Sequence, residues 1–191
     1  SEDKADITTL QGTTGISLAT TNITVTDQVN KSEADTINDY TTGQVVLNSS
    51  SMTVSELAAV EALNDSVMKF ADNGAISVSD AATLANANTI NNYTTGQVTL
   101  TSVSDTVSNI TSIDGLTTTE VTMAGATVSV SDAATLANAN AINGFTTGTV
   151  TLNSASDTVS NLATLAAINN SEVTIACLLY TSDAADEVQC V

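Results

Sequence analysis

An acidic residue preceded by serine or threonine recurs along the chain and is the first group that could do chemistry. The pairs are Thr26-Asp27, Ser55-Glu56, Ser79-Asp80, Ser104-Asp105, Ser131-Asp132 and Ser156-Asp157, about 26 residues apart. Carboxylate oxygens are the ligands that calcium prefers, so stacked repeats could align Asp80, Asp105, Asp132 and Asp157 as a calcium ladder. The pairs also suit helix starts, where a hydroxyl caps the helix and an acid favours its dipole. We prefer this helix-capping interpretation, because glutamate, a poor N-cap, takes the acid position at Glu56.

Threonines at the centre of short apolar triplets are the second candidate group. They are Thr99, Thr122, Thr151 and Thr174. An outward row of threonines on a flat sheet could order water against ice. The residues two positions further on are Thr101, Ala124, Asn153 and Ala176, which do not form a regular threonine array. Threonine also simply suits exposed strand positions, so ice binding is the less favoured interpretation.

The residue types available argue against catalysis. Histidine and arginine are absent, so only carboxylates could act as acid and base, for instance as a glycosidase pair. Acids that recur with a repeat are poor candidates for a unique catalytic pair. We therefore predict that the protein is not an enzyme and uses no cofactor, unless calcium binds.

Composition excludes two classes of partner. The 191 residues include 21 acidic residues and three lysines, which gives a net charge of -18. Nucleic-acid binding and anionic membrane surfaces both require basic residues, so neither is expected. No apolar run is long enough to span a bilayer, so we also predict no membrane insertion. The 42% of hydrophobic residues are regularly placed, which indicates a folded core rather than disorder.

Internal repetition predicts the fold. The ten residues 79–88 recur without change at 131–140, and Thr-Thr-Gly ends every second unit, at Gly43, Gly96 and Gly148. After each acidic pair, apolar residues at every third position predict a short helix, as at Ala81, Leu84, Ala87 and Ile90. A turn and a short strand follow, as at Val98-Thr99-Leu100, and Ile76-Ser77-Val78 is a second extended piece.

One strand and one helix cannot bury their apolar faces alone, but stacked copies can. The pattern therefore predicts an α/β solenoid of strand–helix rungs of about 26 residues with a parallel sheet. The alternative is a right-handed parallel β-helix, for which Ile110-Thr111 and Val159-Ser160 are sufficiently β-prone.

The chain divides into three parts. Residues 1–22 are interpreted as the remnant of a preceding repeat, and residues 23–176 as the solenoid array. The string from Cys177 to Glu187 resembles the translation of a transposon mosaic-end adapter from sequencing libraries. We therefore predict that residues 177–191 are non-native and that the source is a truncated metagenomic fragment of a longer protein. The alternative is a native tail with a disulfide between Cys177 and Cys190.

The repeated run Val-Ser-Asp-Ala-Ala-Thr-Leu-Ala-Asn-Ala, together with Thr-Thr-Gly and Val-Thr-Leu, supports a family resemblance. Over residues 23–176 the chain resembles repeat regions of very long, acidic, secreted, adhesin-like surface proteins of bacteria. The resemblance implies a structural or adhesive role in an extracellular or cell-surface location, with neighbouring repeats, surface glycans or calcium as partners. It transfers no catalytic residues. The alternative function is a calcium-, ice- or carbohydrate-binding solenoid module.

Overall fold

The computed structural model describes residues 1–63, 65–116, 120–168 and 173–179. The helices are α1 (Lys4–Gly12), α2 (Lys31–Asn38), α3 (Val54–Glu61), α4 (Leu84–Asn91), α5 (Val107–Asp114), α6 (Leu136–Phe145) and α7 (Val159–Ile168). The strands are β1 (Ile23–Val29), β2 (Val45–Met52), β3 (Met68–Ala82), β4 (Val98–Asp105), β5 (Val121–Thr122), β6 (Thr127–Ala134), β7 (Val150–Ser156), β8 (Val173–Ile175) and β9 (Leu178–Leu179). Within these ranges no helix has the length and hydrophobicity that crossing a membrane requires.

The described residues belong to two compact units. The first consists of residues 1–63, 65–80, 86–99 and 120–121. The second consists of residues 81–85, 100–116, 122–168 and 173–179.

The first unit is built on three parallel strands. Val25 of β1 lies opposite Leu47 of β2, which lies opposite Phe70 of β3, and all three side chains are buried. After an irregularity in the register, Ser50 of β2 pairs with Val29 on one side and Ile76 on the other. Helix α1 packs against α2, and α2 against α3. Apolar side chains therefore occupy every second position of a strand, on the face that the helices cover, as a half-buried sheet requires.

The second unit repeats this construction. Residues 102–105 of β4 pair with β6, β6 pairs with β7, and β7 pairs with both β8 and β9, all in parallel. Val128, Val150 and Val173 form one buried row across three of these strands. Helix α5 packs against α6, and α6 against α7. The predicted α/β class with a parallel sheet is confirmed.

The helices α4 to α7 each bury two residues of the apolar stripe. The fully buried pairs are Ala87 and Ile90, Ile110 and Ile113, Ala139 and Ile142, and Leu162 and Leu165. The positions before these pairs are less protected: Leu84 and Leu136 are half-buried, and Val159 is 69% exposed. Two buried residues in each short helix are enough to attach it to the sheet, since one turn separates them.

The helix starts were predicted at the wrong residues. Ser79-Asp80 and Ser131-Asp132 lie inside strands β3 and β6, and helices α4 and α6 begin four residues after each aspartate. The predicted strand triplets that begin at Val98, Val150 and Val173 are confirmed, but β4 and β7 extend further, to Asp105 and Ser156. Ile110-Thr111 and Val159-Ser160, the β-prone pairs of the alternative fold, lie in α5 and α7.

The two ends also contain regular structure. Helix α1 lies in the segment 1–22 that was interpreted as the remnant of a repeat, and Glu2 bridges to Val25 in parallel. At the other end, Leu178 pairs with Ala155, and the Ala155 N–H donates to the Cys177 carbonyl over 2.9 Å. The rest of the predicted adapter-derived tail, including Cys190, lies outside the described residues.

Candidate functional site

The four aspartates proposed for calcium occupy equivalent places beside helix starts. Asp80 lies in β3 and Asp132 in β6, Asp105 ends β4, and Asp157 directly follows β7. Each is therefore carried by the strand side of its repeat and stands one to three residues before the N-cap of the helix that follows it. None of the four belongs to a helix.

Each aspartate caps the helix of the preceding repeat, not the helix of its own. We call this the aspartate contact: the carboxylate accepts the backbone N–H of the first helical residue about 21–26 positions earlier. The pairs are Lys4 to Asp27 (2.9 Å), Val54 to Asp80 (2.8 Å), Leu84 to Asp105 (2.9 Å), Val107 to Asp132 (2.8 Å) and Leu136 to Asp157 (3.0 Å). A free N–H and the positive end of a helix dipole are both stabilised by a carboxylate there.

A local N-cap also stands at the starts of α1, α3, α5 and α6. The Thr53 hydroxyl accepts the Glu56 N–H, and the Glu56 carboxylate accepts the Thr53 N–H, which is a capping box. Thr135 and Asn138 form the same arrangement at α6. The capping prediction is thus correct in kind but wrong in its residues, and Glu56 alone of the predicted acids lies in a first helical turn.

The carboxylate of Asp105 accepts three hydrogen bonds. Its Oδ2 accepts the Leu84 N–H, and its Oδ1 accepts the Thr106 N–H and an Asn109 side-chain N–H, both over 2.8 Å. Burial alone would raise the pKa of this carboxyl, but the hydrogen bonds from Leu84, Asn109 and Thr106 outweigh it. The pKa of Asp105 is therefore lowered.

Asp157 repeats the arrangement in the next double repeat. Its carboxylate accepts N–H groups from Asn161 (2.9 Å), Leu136 (3.0 Å) and Thr158 (2.8 Å). These three hydrogen bonds, the first from the Asn161 side chain, lower the pKa of Asp157. Both carboxylates therefore stay ionised as acceptors at neutral pH.

This geometry gives the calcium ladder no support. In Asp105 and Asp157 both oxygens already accept N–H groups, whose positive ends would repel a cation. The described residues contain no group of three or more His, Cys, Asp or Glu side chains that could hold a metal ion. A calcium site commonly needs six to eight oxygen ligands. Calcium binding at Asp80, Asp105, Asp132 and Asp157 stays an untested prediction.

The threonine row is short and mixed. In the second unit, Ser129, Thr151 and Thr174 lie opposite one another on β6, β7 and β8, and the Thr151 and Thr174 hydroxyls are 3.1 Å apart. In the first unit, the corresponding sheet positions include Val46 and Lys69. The two rows therefore differ in chemistry, which is unfavourable for a regular ice-binding surface.

The Thr-Thr-Gly motif, which was predicted to be only a turn, is a second connection between repeats. Its first threonine is buried, donates its hydroxyl to a carbonyl of the preceding repeat, and accepts the N–H of the glycine. The bonds are Thr41 to Thr21 (2.7 Å) and Gly43 (2.8 Å), Thr94 to Gly74 (2.6 Å) and Gly96 (2.9 Å), and Thr146 to Ala126 (2.6 Å) and Gly148 (2.9 Å). The threonine hydroxyl thus acts both as a hydrogen-bond donor and as an acceptor.

Close approach explains the glycine. A Cβ on Gly43, Gly96 or Gly148 would lie closer than 3.0 Å to backbone atoms of the preceding repeat. The sequence does contain one feature that could have indicated a packed contact here. An aromatic residue precedes each copy of the motif, at Tyr40, Tyr93 and Phe145. The motif is therefore a tightly packed contact between repeats and not only a flexible turn.

A polar groove lies beside the middle copy of this motif, in the first unit. It has a volume of about 360 Å³ and is lined by Asp72, Asn91, Asn92, Tyr93, Thr94 and Thr95. The Tyr93 ring stacks on Phe70, with centroids 6.1 Å apart and planes 7° from parallel. Burial, together with the negative charge of Glu61, raises the pKa of Tyr93, so its hydroxyl stays protonated at neutral pH.

Comparison with known proteins gives no match: no family model fits the sequence, and no similar curated protein or solved structure was found. Inferences about function must therefore come from the contacts within this chain.

Proposed function

We propose that this chain is a structural and adhesive repeat segment of a larger secreted or cell-surface bacterial protein. In this proposal residues 23–176 form an α/β solenoid in which the rungs stack through a parallel sheet. The observation that carries it is the aspartate contact, which recurs from Lys4–Asp27 to Leu136–Asp157.

Recurrence of this kind favours a spacer over a unique site. A helix start in one repeat is completed by a carboxylate of the next, and Thr-Thr-Gly connects a repeat to the one before it. Each repeat therefore depends on its neighbours for hydrogen bonds, as repeat proteins do for their core. Such a structure can be lengthened by adding repeats, because each added repeat forms the same two kinds of contact with its neighbours.

The same contacts argue against catalysis. A general acid needs a pKa near the working pH, whereas hydrogen bonds hold the pKa of Asp105 and Asp157 below the usual range. The chain has no histidine to serve instead. We propose that the acids act as structural acceptors, and the export and surface location rest on the resemblance of the repeat.

A lengthened chain tests the proposal. A second copy of residues 80–131 is inserted between residues 131 and 132, so that each aspartate keeps a preceding helix. We expect the helical circular-dichroism signal and the urea midpoint to rise, and the longest dimension in X-ray scattering to grow by about 10 Å, two strand spacings. The control insert has the same residues in scrambled order. A lowered midpoint, or an unfolded faithful insert, would contradict the proposal.

A further inference from the structure

We propose that the groove beside Tyr93 binds a neutral saccharide, with the tyrosine against the sugar ring and Asp72, Asn91 and Asn92 on its hydroxyls. This inference adds a ligand to the spacer role proposed above. It is tested separately, because a spacer without a sugar site would still lengthen as described.

Tyr93 provides a fixed aromatic surface. Its ring is held parallel to Phe70, a buried core residue, and it remains only half-buried itself. The face of an aromatic ring carries negative charge density, which attracts the weakly positive C–H groups on one side of a sugar. A ring that is already held in place loses little conformational entropy when a ligand binds.

The groove also carries the polar groups that sugar hydroxyls need. The side chain of Asp72 is 91% exposed, and its contact with Lys69 is a long ion pair of 3.5 Å, so its oxygens can accept hydrogen bonds from hydroxyl groups. The amides of Asn91 and Asn92 both donate and accept. Small-molecule sites commonly combine an apolar surface with a few polar groups of this kind.

Comparison with the equivalent turns shows what is special here. The second threonine of each motif donates its backbone N–H to one residue of the preceding repeat: Thr42 to Ala19 (2.8 Å), Thr95 to Asp72 (2.6 Å) and Thr147 to Ala124 (2.7 Å). Alanine occupies this position at the other two turns, and the middle turn alone of the three has a carboxylate at this position. The repeat thus departs from its pattern where the groove is formed.

The charge of the chain disfavours an acidic ligand. The net charge of -18 and the carboxylate of Asp72 repel acidic sugars, and Lys69, 3.5 Å from that carboxylate, reduces its attraction for a cation. A shallow groove with one aromatic face suits one sugar unit. We therefore expect a dissociation constant of about 1–10 mM, a free energy of about -3 to -4 kcal/mol by conversion.

The full chain is titrated with D-glucose, D-galactose and N-acetyl-D-glucosamine, each raised to about 50 mM, well above that constant. Heteronuclear NMR follows the backbone amides. We expect at least one sugar to shift the amides of residues 91–95 saturably. Absence of any shift with all three sugars, or shifts confined to other residues, would overturn the proposal.

Variants separate recognition from structure. Asp72→Ala removes an exposed carboxylate and should weaken binding about 5-fold or more with an unchanged melting temperature. Asp39→Ala is the matched control, since Asp39 is the exposed acid immediately before Tyr40 in the equivalent turn, and should leave binding unchanged. Tyr93→Ala should abolish the shifts, and Tyr40→Ala should not. Equal effects of Asp72→Ala and Asp39→Ala would overturn the proposal.

Discussion

The carboxylate of Asp132 accepts a hydrogen bond of 2.8 Å from the backbone N–H of Val107, the first residue of helix α5. The two residues are 25 positions apart and belong to successive repeats. The acid that sequence rules assign to the helix following it therefore completes the helix before it. Local capping and capping between repeats act on the same turn, since Thr106 accepts the Asn109 N–H there.

Removing this carboxylate should destabilise the fold modestly. Asp132→Ala leaves the Val107 N–H to water and removes a negative charge from the helix N-terminus, so we expect a loss of about 1 kcal/mol in the free energy of unfolding. Asp132→Asn keeps an acceptor oxygen and should lose less. Urea denaturation measures both. Asp114→Ala is the control, because this exposed acid ends α5 where the dipole disfavours it, and it should be neutral or slightly stabilising.

Stability should fall as the solution is acidified. The hydrogen bonds of Asp105 and Asp157 lower the folded-state pKa values of these carboxyls. Their contribution to stability is therefore full at neutral pH and is lost as the pH falls from about 5, through the unfolded value of about 3.9, towards the folded values. Glu61 acts in the opposite sense, because burial and Asp65 raise its pKa.

Urea midpoints between about pH 7 and pH 2.5 measure this dependence. The double variant with Asp105→Asn and Asp157→Asn should be less stable at neutral pH and should lose less stability on acidification. If the wild-type chain and the double variant respond to acid in parallel, these two carboxylates do not carry the effect.

Ser50 is a polar residue in the core that can be replaced. Ser50 has no exposed surface, and its Oγ has no hydrogen-bond partner among the described residues. Its neighbours across the sheet are Val29 and Ile76, so a hydroxyl stands where the other strands place an aliphatic side chain. Ser50→Ala should stabilise the protein by about 1 kcal/mol, because a desolvated hydroxyl is removed. Thermal and urea unfolding check this, with half-buried Ser51→Ala as the control. A destabilised Ser50→Ala would mean that the hydroxyl is satisfied in solution.

The buried threonine of Thr-Thr-Gly should matter more than its exposed neighbour. Thr146→Val keeps the shape but leaves the Gly148 N–H and the Ala126 carbonyl unpaired, so we expect a loss of about 2 kcal/mol. Thr147→Val is the matched control: its backbone N–H still donates to Ala124, and the loss should stay below about 0.5 kcal/mol. Equal losses would contradict the assignment of Thr146 as the connecting residue.

Local periodicity was sufficient to predict much of the fold. Val98 and Leu100 alternate with threonine because one face of the strand is buried, and this period of two is visible in the sequence. Spacing by three likewise predicted the buried pair Ala87 and Ile90, and the equivalent pair of the second copy, Ala139 and Ile142, is buried as well. Leu136 is only half-buried, although it belongs to the same stripe, because it is the first helical residue and lies at the rim.

The candidate site could not be predicted in the same way. Capping rules describe partners within a few residues, whereas Asp157 bonds Leu136, 21 residues earlier. Which acid meets which helix depends on how far β7 runs before the chain turns, and that length is set by parallel pairing with β6 and β9. Thr146 was missed for the same reason, since its carbonyl partner belongs to another repeat.

Calcium should leave the melting temperature unchanged. The carboxylates of Asp105 and Asp157 each already accept three N–H groups. A bound cation would have to break these hydrogen bonds, and the free energy lost with them opposes its binding. A calcium site with a dissociation constant of about 10 µM would add about 2.7 kcal/mol at about 1 mM calcium, one hundred times that constant. A gain of this size would raise the melting temperature by several degrees.

Thermal unfolding scans with about 1 mM calcium and with excess chelator, at matched ionic strength, should therefore coincide. A scan with magnesium is the control for general screening of charge. A rise of several degrees with calcium alone, abolished by Asp105→Asn and Asp157→Asn, would restore the calcium ladder and contradict the purely structural role of these carboxylates.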